Sequence, residues 1–179
     1  MEKYLIYCKE SNKSNAKQEE SEELPDNYSL RIWTPSVFDI VPRGLPLIKF
    51  VGWWILYLVK SFYDSHYIYT IFLVYYKHKV IHYTVITSKS WKFNFMKSSD
   101  IQIGPSNTDF EHRRKGIGLY IIKKILEMKY KKNIRFWWVV REENMISRRF
   151  IEKAGFFQYG STIRKQRFGI GYFINDPLQ

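Results

Sequence analysis

The chain has 179 residues and a formal charge of +12, from 29 basic against 17 acidic side chains, and 18% of it is aromatic, with 14 Tyr, 13 Phe and 6 Trp. So many large side chains exclude a disordered chain outside the polar stretches, and the length suits one domain, 1–179, with a core of its own. The single cysteine, Cys8, excludes a disulfide framework and a cysteine metal site, so no metal is expected.

The positive excess draws anions without choosing among phosphorylated small molecules, acidic glycans, nucleic acid and anionic lipid. Nucleic acid is not expected, because no zinc finger or RNP signature accompanies the charge. Residues 1–25 lack a charged segment followed by an apolar core and a cleavage site, so a reducing cytoplasm is the expected location.

Residues 4–8 are apolar and read as a short peripheral strand. Residues 9–26 are polar and almost free of apolar side chains, which predicts a mobile loop. Strand character resumes over 29–33, and Pro35, Pro42 and Pro46 then prevent a continuous helix until about Leu47. An aromatic-rich helix with Trp53, Trp54 and Tyr57 is expected over 47–62. Its apolar run is interrupted by Lys49 and ends at Lys60, short of the ~20 residues that a bilayer span needs. Buried core or the wall of a cleft is the structural reading of this helix, and peripheral membrane contact through 47–62 is the alternative.

Residues 68–76 and 80–87 read as two strands around Lys77-His78-Lys79, an antiparallel hairpin. A loop over 88–99 leads to a strand that begins at Ile101 and continues past Gly104-Pro105 to Ser106, Asn107 and Thr108. Next come Arg113, Arg114, Lys115, Gly116, Ile117 and Gly118, after which Ile117, Ile121, Ile125 and Met128 recur with helical spacing. Strand, loop, glycine-rich turn and helix in that order make an anion site. The first helical turn leaves backbone N–H groups unpaired at the positive end of the macrodipole. Gly116 and Gly118 remove side chains that would keep a phosphate away, and the three cations add charge around it. The pattern is neither the Gly-x-Gly-x-x-Gly fingerprint nor the phosphate loop ending in Gly-Lys-Ser/Thr. A basic helix start with glycines used for packing is the alternative.

An apolar run over 134–140 gives a further strand, and Asn144 caps a short helix that Gly155 stops. Arg113-x-x-Gly116-x-Gly118, then Asn144-x-x-Ser147 and Glu152-Lys153-Ala154-Gly155-Phe156, resemble in order and distance the GCN5-related N-acetyltransferases, over roughly residues 68–165. In addition, Ile103-Gly104-Pro105 with Thr108, and Phe93-x-Phe95-Met96 ahead of Asp100, resemble acetyltransferase-type proteins encoded among bacterial capsule and O-antigen genes.

The resemblance implies an α/β fold, a mixed, mostly antiparallel sheet of six or seven strands flanked by helices. Read along the chain, the expected order is helix pair, hairpin, central strand, cofactor helix, strand, short helix and a final strand pair near 158–163 and 168–173. It implies transfer of an acetyl group from acetyl-CoA directly to a primary amine, such as that of an amino-sugar or nucleotide-sugar in surface polysaccharide synthesis. By the same resemblance acetyl-CoA is held by Ser106, Asn107, Thr108, Arg113, Arg114, Lys115, Gly116, Ile117, Gly118, Asn144 and Ser147.

Such a transfer needs an aligned thioester, a neutral amine, and a place for charge on the carbonyl oxygen and the leaving thiolate. Two positions depart from the family. Where many members have a tyrosine acid this chain has Ile151, and where some have a glutamate base it has Gln102. Asp100 lies two residues before Gln102 and so on the same side of the strand, while His82 sits on the neighbouring hairpin strand with an ordinary pKa in the working range. His82 is favoured over Asp100 as the catalytic base, with a satisfied structural histidine as the alternative. His112 reads as a phosphate neighbour or a solvated residue, and Tyr83, Tyr120 and Tyr159 are candidate acids. The missing Tyr and Glu also motivate a non-catalytic acyl-CoA-binding module, and peptide or polyamine amines are the alternative acceptors.

Overall fold

The computed structural model describes residues 2–11, 24–36, 38–42, 44–45, 47–64, 67–89, 93–131, 133–167 and 170–176. The chain falls into two compact units that share it in alternation. Met1–Glu20, Ser88–Gly104 and Ile122–Gln179 make the first, and Ser21–Thr87 with Pro105–Ile121 the second.

In the first unit, β1 (Glu2–Glu10) lies between β6 (Arg135–Arg141) and β7 (Phe157–Arg167), antiparallel to both, so that Leu5 faces Val140 on one side and Ser161 on the other. The peripheral strand expected at 4–8 is therefore an interior one. Its unbroken apolar run is the reason, since Tyr4 to Cys8 are all buried, as in a strand covered on both faces. The strand also runs through Lys9 and Glu10, which pair with Phe136 and Arg135, so the loop expected at 9–26 does not begin at Lys9. Most of that segment, 12–23, lies outside the described residues. β7 continues into antiparallel pairing with β8 (Ile170–Asp176), the expected final strand pair. Ile6, Cys8, Phe93, Met96 and Trp137 form one core cluster, with the Phe95 ring tilted against that of Trp137 at 5.0 Å between centroids. α3 (Met145–Lys153) buries Ile151 and sets Phe150 edge-on to Trp138.

In the second unit, β2 (Tyr28–Trp33), β3 (Tyr69–Tyr76) and β4 (Lys79–Ser88, all but its last residue) pair antiparallel in sequence order. The hairpin turns where expected, at Lys77, whose φ is 56°. Trp33, Tyr69, Ile71, Leu73 and Val85 form its core, and Tyr57 of α1 (Leu47–Tyr63) packs against them. Among the described residues α1 is one helix ahead of the hairpin, where a pair was expected. It is core on its Tyr57 side only: Ile55, Leu56, Val59, Phe62 and Tyr63 are exposed, and their spacing puts them on one helical face.

β5 (Ile101–Thr108) and α2 (Ile117–Met128) each start in one unit and finish in the other. β5 runs parallel to β6 through Ile101 opposite Phe136 and Gln102 opposite Trp137, and that ladder ends there. Two residues later Gly104 takes φ 115°, a conformation open to glycine, and Pro105 contributes no donor. α2 buries Ile117, Ile121, Ile122 and Ile125, whereas Met128, expected on that face, is 52% exposed because it closes the last turn. The strand order is β2-β3-β4-β5-β6-β1-β7-β8, so the sheet is mixed, mostly antiparallel and flanked by helices, as the resemblance implied, with eight strands among the described residues.

Candidate active site

Within the second unit, Thr108 ends β5, a short 3-10 turn follows at Phe110–His112, and α2 opens at Ile117. The Tyr120 N–H donates to the Gly116 carbonyl at 3.0 Å, which makes Gly116 the residue that opens the helical bond pattern. Arg114 and Gly116 take φ of 61° and 77°, so the turn enters the left-handed region twice; such a curl gathers backbone amides toward one side. A left-handed arginine costs about 1 kcal/mol and persists where the surroundings fix it. One such tie is visible, the Arg113 Nε donating to the Thr108 carbonyl at 3.0 Å. Arg113, Arg114, Lys115 and Gly116 are exposed, and a Cβ placed on Gly116 would meet nothing within 4 Å. The turn is therefore open on its cationic side, not sealed in the core.

His112 is half-buried beside this turn and is engaged by aromatic neighbours. Its Nδ1 lies 2.8 Å from the Tyr28 hydroxyl, to which Lys115 Nζ donates at 3.4 Å, and its ring sits 5.0 Å from that of Tyr76. The Tyr28 hydroxyl therefore joins His112 to Lys115, and the tautomer of the ring sets the direction of the bond to Nδ1.

Ser106, Asn107 and Thr108 continue β5 in the second unit, with Asn107 exposed and its two neighbours half-buried. His82 faces inward beside them. It is 1% exposed, and both ring nitrogens are engaged, Nδ1 with Thr108 Oγ1 at 2.7 Å and Nε2 with Thr84 Oγ1 at 2.9 Å. A direct base open to an acceptor, as expected from its ordinary pKa, does not fit this setting; burial pushes the imidazole down from 6.5 to about 4. The sign for stability follows. The unfolded chain gains a proton at His82 as the pH falls through about 6.5, the fold resists protonation down to about 4, and acid therefore favours unfolding across that window. Stability should fall by about 2 kcal/mol between pH 7 and pH 5 from this group. Urea unfolding at the two pH values reads the slope, and His82→Gln should flatten it.

The other candidates lie in the first unit. Asp100 is 1% exposed, and its carboxylate accepts from Trp137 Nε1 at 2.8 Å, the Lys97 N–H at 2.8 Å and the Arg135 N–H at 3.3 Å. The structure thus corrects its reading as a base: the carboxylate fastens the start of β5 to β6 and the preceding loop, and it is shut away from solvent. Asn144 does cap α3, its Oδ1 accepting the Ser147 N–H at 3.1 Å. Tyr159 stacks edge-on to Trp137 at 4.9 Å. Sequence reasoning missed Tyr7 altogether. From β1 its hydroxyl donates to Glu152 Oε1 at 2.7 Å and receives Arg148 Nε at 3.5 Å, so a phenol, its pKa raised mainly by burial, reaches α3 although position 151 itself lacks one. No local motif marks Tyr7; its place depends on β1 being an interior strand.

The model of the acetyltransferase (GNAT) family matches residues 54–156. Among solved structures, the chain is similar to a tandem GNAT protein from the clavulanic acid biosynthesis pathway at 13% identity and TM-score 0.61, covering 89% of this chain and 51% of that one. It is similar to a GCN5-related N-acetyltransferase from Sphaerobacter thermophilus at 12% identity and TM-score 0.57, covering 89% and 49%. The ribosomal-protein-S5-alanine acetyltransferase from Vibrio fischeri is similar at 19% identity and TM-score 0.52, covering 86% and 96%. The chain spans about half the length of the first two, and at these identities the likeness is one of fold. No curated protein matches. The family uses acetyl-CoA as co-substrate and acts on amine-bearing acceptors; with more than half of its residues under the family model, the chain belongs to the acetyltransferase (GNAT) family.

Proposed function

We propose that this protein is an acetyl-CoA-dependent N-acetyltransferase of the cytoplasm, which passes an acetyl group directly to the primary amine of an amino-sugar or nucleotide-sugar in surface polysaccharide synthesis. The observation that supports it best is Gly116, left-handed, open above its Cα, at the mouth of α2 and beside Arg113, Arg114 and Lys115. That donor set suits a diphosphate. The amides of Gly116, Ile117 and Gly118 would hold it with the three cations, and Ser106, Asn107 and Thr108 would offer a strand edge to the pantetheine arm. In the first unit Asn144 and Ser147 keep the cofactor role that their motif position implies. When bound, acetyl-CoA supplies an activated acyl carbon. A charge of +12 favours an anionic acceptor such as a nucleotide-sugar over a polyamine.

The test mixes the protein with acetyl-CoA and, separately, a UDP-linked amino-deoxyhexose, spermidine and a lysine-containing peptide, and follows thiol release. Release with the sugar alone is expected. Release with the peptide or spermidine instead would overturn the acceptor while keeping the enzyme. A second reading is favoured by Ile151, fully buried where the family's phenol stands, and by Gln102 in place of glutamate: a non-catalytic acyl-CoA-binding module. Binding of CoA in calorimetry without thiol release from any of the three amines would select it.

The exposed stripe of α1 supports peripheral attachment to an anionic bilayer. No helix among the described residues is long and apolar enough to cross a membrane, but Ile55, Leu56, Val59, Phe62 and Tyr63 present one apolar face on a basic protein. Co-sedimentation with phosphatidylglycerol vesicles, lost in Val59→Ser/Phe62→Ser, is expected; equal sedimentation of both proteins would remove this reading.

A further inference from the structure

Four side chains of the second unit form an unbroken hydrogen-bonded chain. Thr108 Oγ1 lies 2.7 Å from His82 Nδ1, His82 Nε2 lies 2.9 Å from Thr84 Oγ1, and Thr84 Oγ1 lies 2.8 Å from Ser106 Oγ. The middle of the chain is sealed, with His82 at 1% and Thr84 at 0% exposure, while its two ends are half-buried. Both ends belong to β5, on either side of exposed Asn107, so the path leaves the strand at one residue and returns to it two residues away. In a strand that separation is roughly 7 Å.

The groups in this chain are unusual in having no fixed polarity. A brace built on a carboxylate or an ammonium, like the one around Asp100, can be satisfied one way only. Here each link joins two groups that both donate and accept, which allows two complete arrangements. In one, Thr108 donates to Nδ1, Nε2–H donates to Thr84, and Thr84 donates to Ser106. In the other, Ser106 donates to Thr84, Thr84 donates to Nε2, and Nδ1–H donates to Thr108. They differ by the tautomer of one imidazole. Burial favours the uncharged ring, the form that has two tautomers.

We propose that Ser106, Thr84, His82 and Thr108 form a proton relay that carries the proton shed by the acceptor amine during acyl transfer. The proposal rests on the acyltransferase reading above. The C–S bond breaks as the C–N bond forms, coenzyme A leaves with the electron pair as its thiolate, and nitrogen gives up one proton. That proton enters on Ser106 Oγ while the Ser106 hydroxyl proton moves to Thr84 Oγ1. The Thr84 proton moves to His82 Nε2, the Nδ1 proton moves to Thr108 Oγ1, and the Thr108 hydroxyl proton leaves to water. Each group ends with the number of protons it began with and the opposite polarity, which exchange with water at the two half-exposed hydroxyls resets. Arg113 Nε donates to the Thr108 carbonyl at 3.0 Å and so holds the strand at that end. His82 and Thr84 act through the hydroxyls of β5 and are positioning residues, not groups that touch the acceptor.

The test needs no knowledge of the acceptor in its first arm. In protein labelled with 15N-histidine, a switching relay gives His82 nitrogen resonances drawn together by tautomer exchange, whereas a fixed brace gives one protonated and one bare nitrogen. Thr84→Val, equal in shape, should separate the two resonances, and Thr84→Ser should bring them together again. In the second arm, turnover of acetyl-CoA with whichever of the three amines above reacts fastest should lose at least about 10-fold in kcat in Thr84→Val with KM for acetyl-CoA unchanged. The solvent deuterium effect should lose its bowed dependence on deuterium fraction, and Thr84→Ser should restore both. Separate, fixed resonances in the wild-type protein, or wild-type kcat in Thr84→Val, would overturn the relay. Absence of turnover with all three amines would instead overturn the acyl-transfer reading, and the resonances would still decide whether the chain switches.

Discussion

Gly116→Asp should weaken CoA binding by about 100-fold, close to 3 kcal/mol, in a calorimetric titration. The fold should survive the substitution at a backbone cost of about 1 kcal/mol, because Gly116 is exposed, its Cβ would enter open space, and aspartate is among the side chains that visit a left-handed φ. What changes is the sign of the charge at the mouth of α2, where the helix end and Arg113, Arg114 and Lys115 favour an anion. Gly116→Asn separates the two contributions, having nearly the same shape without the charge, and should lose roughly a tenth of the affinity that aspartate abolishes. The difference between the two variants should shrink as salt is added. Unchanged affinity in Gly116→Asp would mean that the diphosphate is held elsewhere, and the assignment of the turn would fall with it.

Asp100→Ala should destabilise the protein by about 3–5 kcal/mol, a large share of the roughly 5–15 kcal/mol that holds an ordinary domain. The carboxylate accepts hydrogen bonds from an indole and two backbone amides and is itself sealed from solvent, so its removal strands the buried indole donor and leaves two part-buried amides without their acceptor. Asp100→Asn keeps an acceptor oxygen and should lie between. Urea unfolding, with Trp137 fluorescence as an added probe of the indole, measures both. A catalytic base would behave in the opposite way, losing turnover with the melting curve unmoved, so wild-type stability in Asp100→Ala would refute the structural role.

The sequence was most legible where chemistry is local. The turn from Arg113 to Gly118, the cap at Asn144 and the hairpin at Lys77 depend on neighbours within a few residues, and all three stand where the spacing put them. What depends on pairing partners far along the chain was not legible. His82 looked like a base because an ordinary histidine titrates near neutrality; only the packing of β4 against β5 shows that both nitrogens are engaged. Asp100 shared a strand side with Gln102 as alternation required, but alternation does not say that Trp137 waits on that side. Tyr7 gave no signal because a single tyrosine in an apolar run looks like core until its hydroxyl is seen at Glu152. For β1, continuous burial on both faces and a terminal position were in conflict, and burial decided.

The placement of β1 also bears on biosynthesis. Its ladder partners, from Arg135 to Arg141 and from Phe157 to Arg164, are made long after Tyr4 to Cys8 have left the ribosome. Until then a sticky, strand-forming segment has no mate, and closing so long a loop is slow. Nascent or prematurely terminated chains should therefore be prone to clump and to rely on chaperones, and yield on expression should improve when translation and temperature are lowered together.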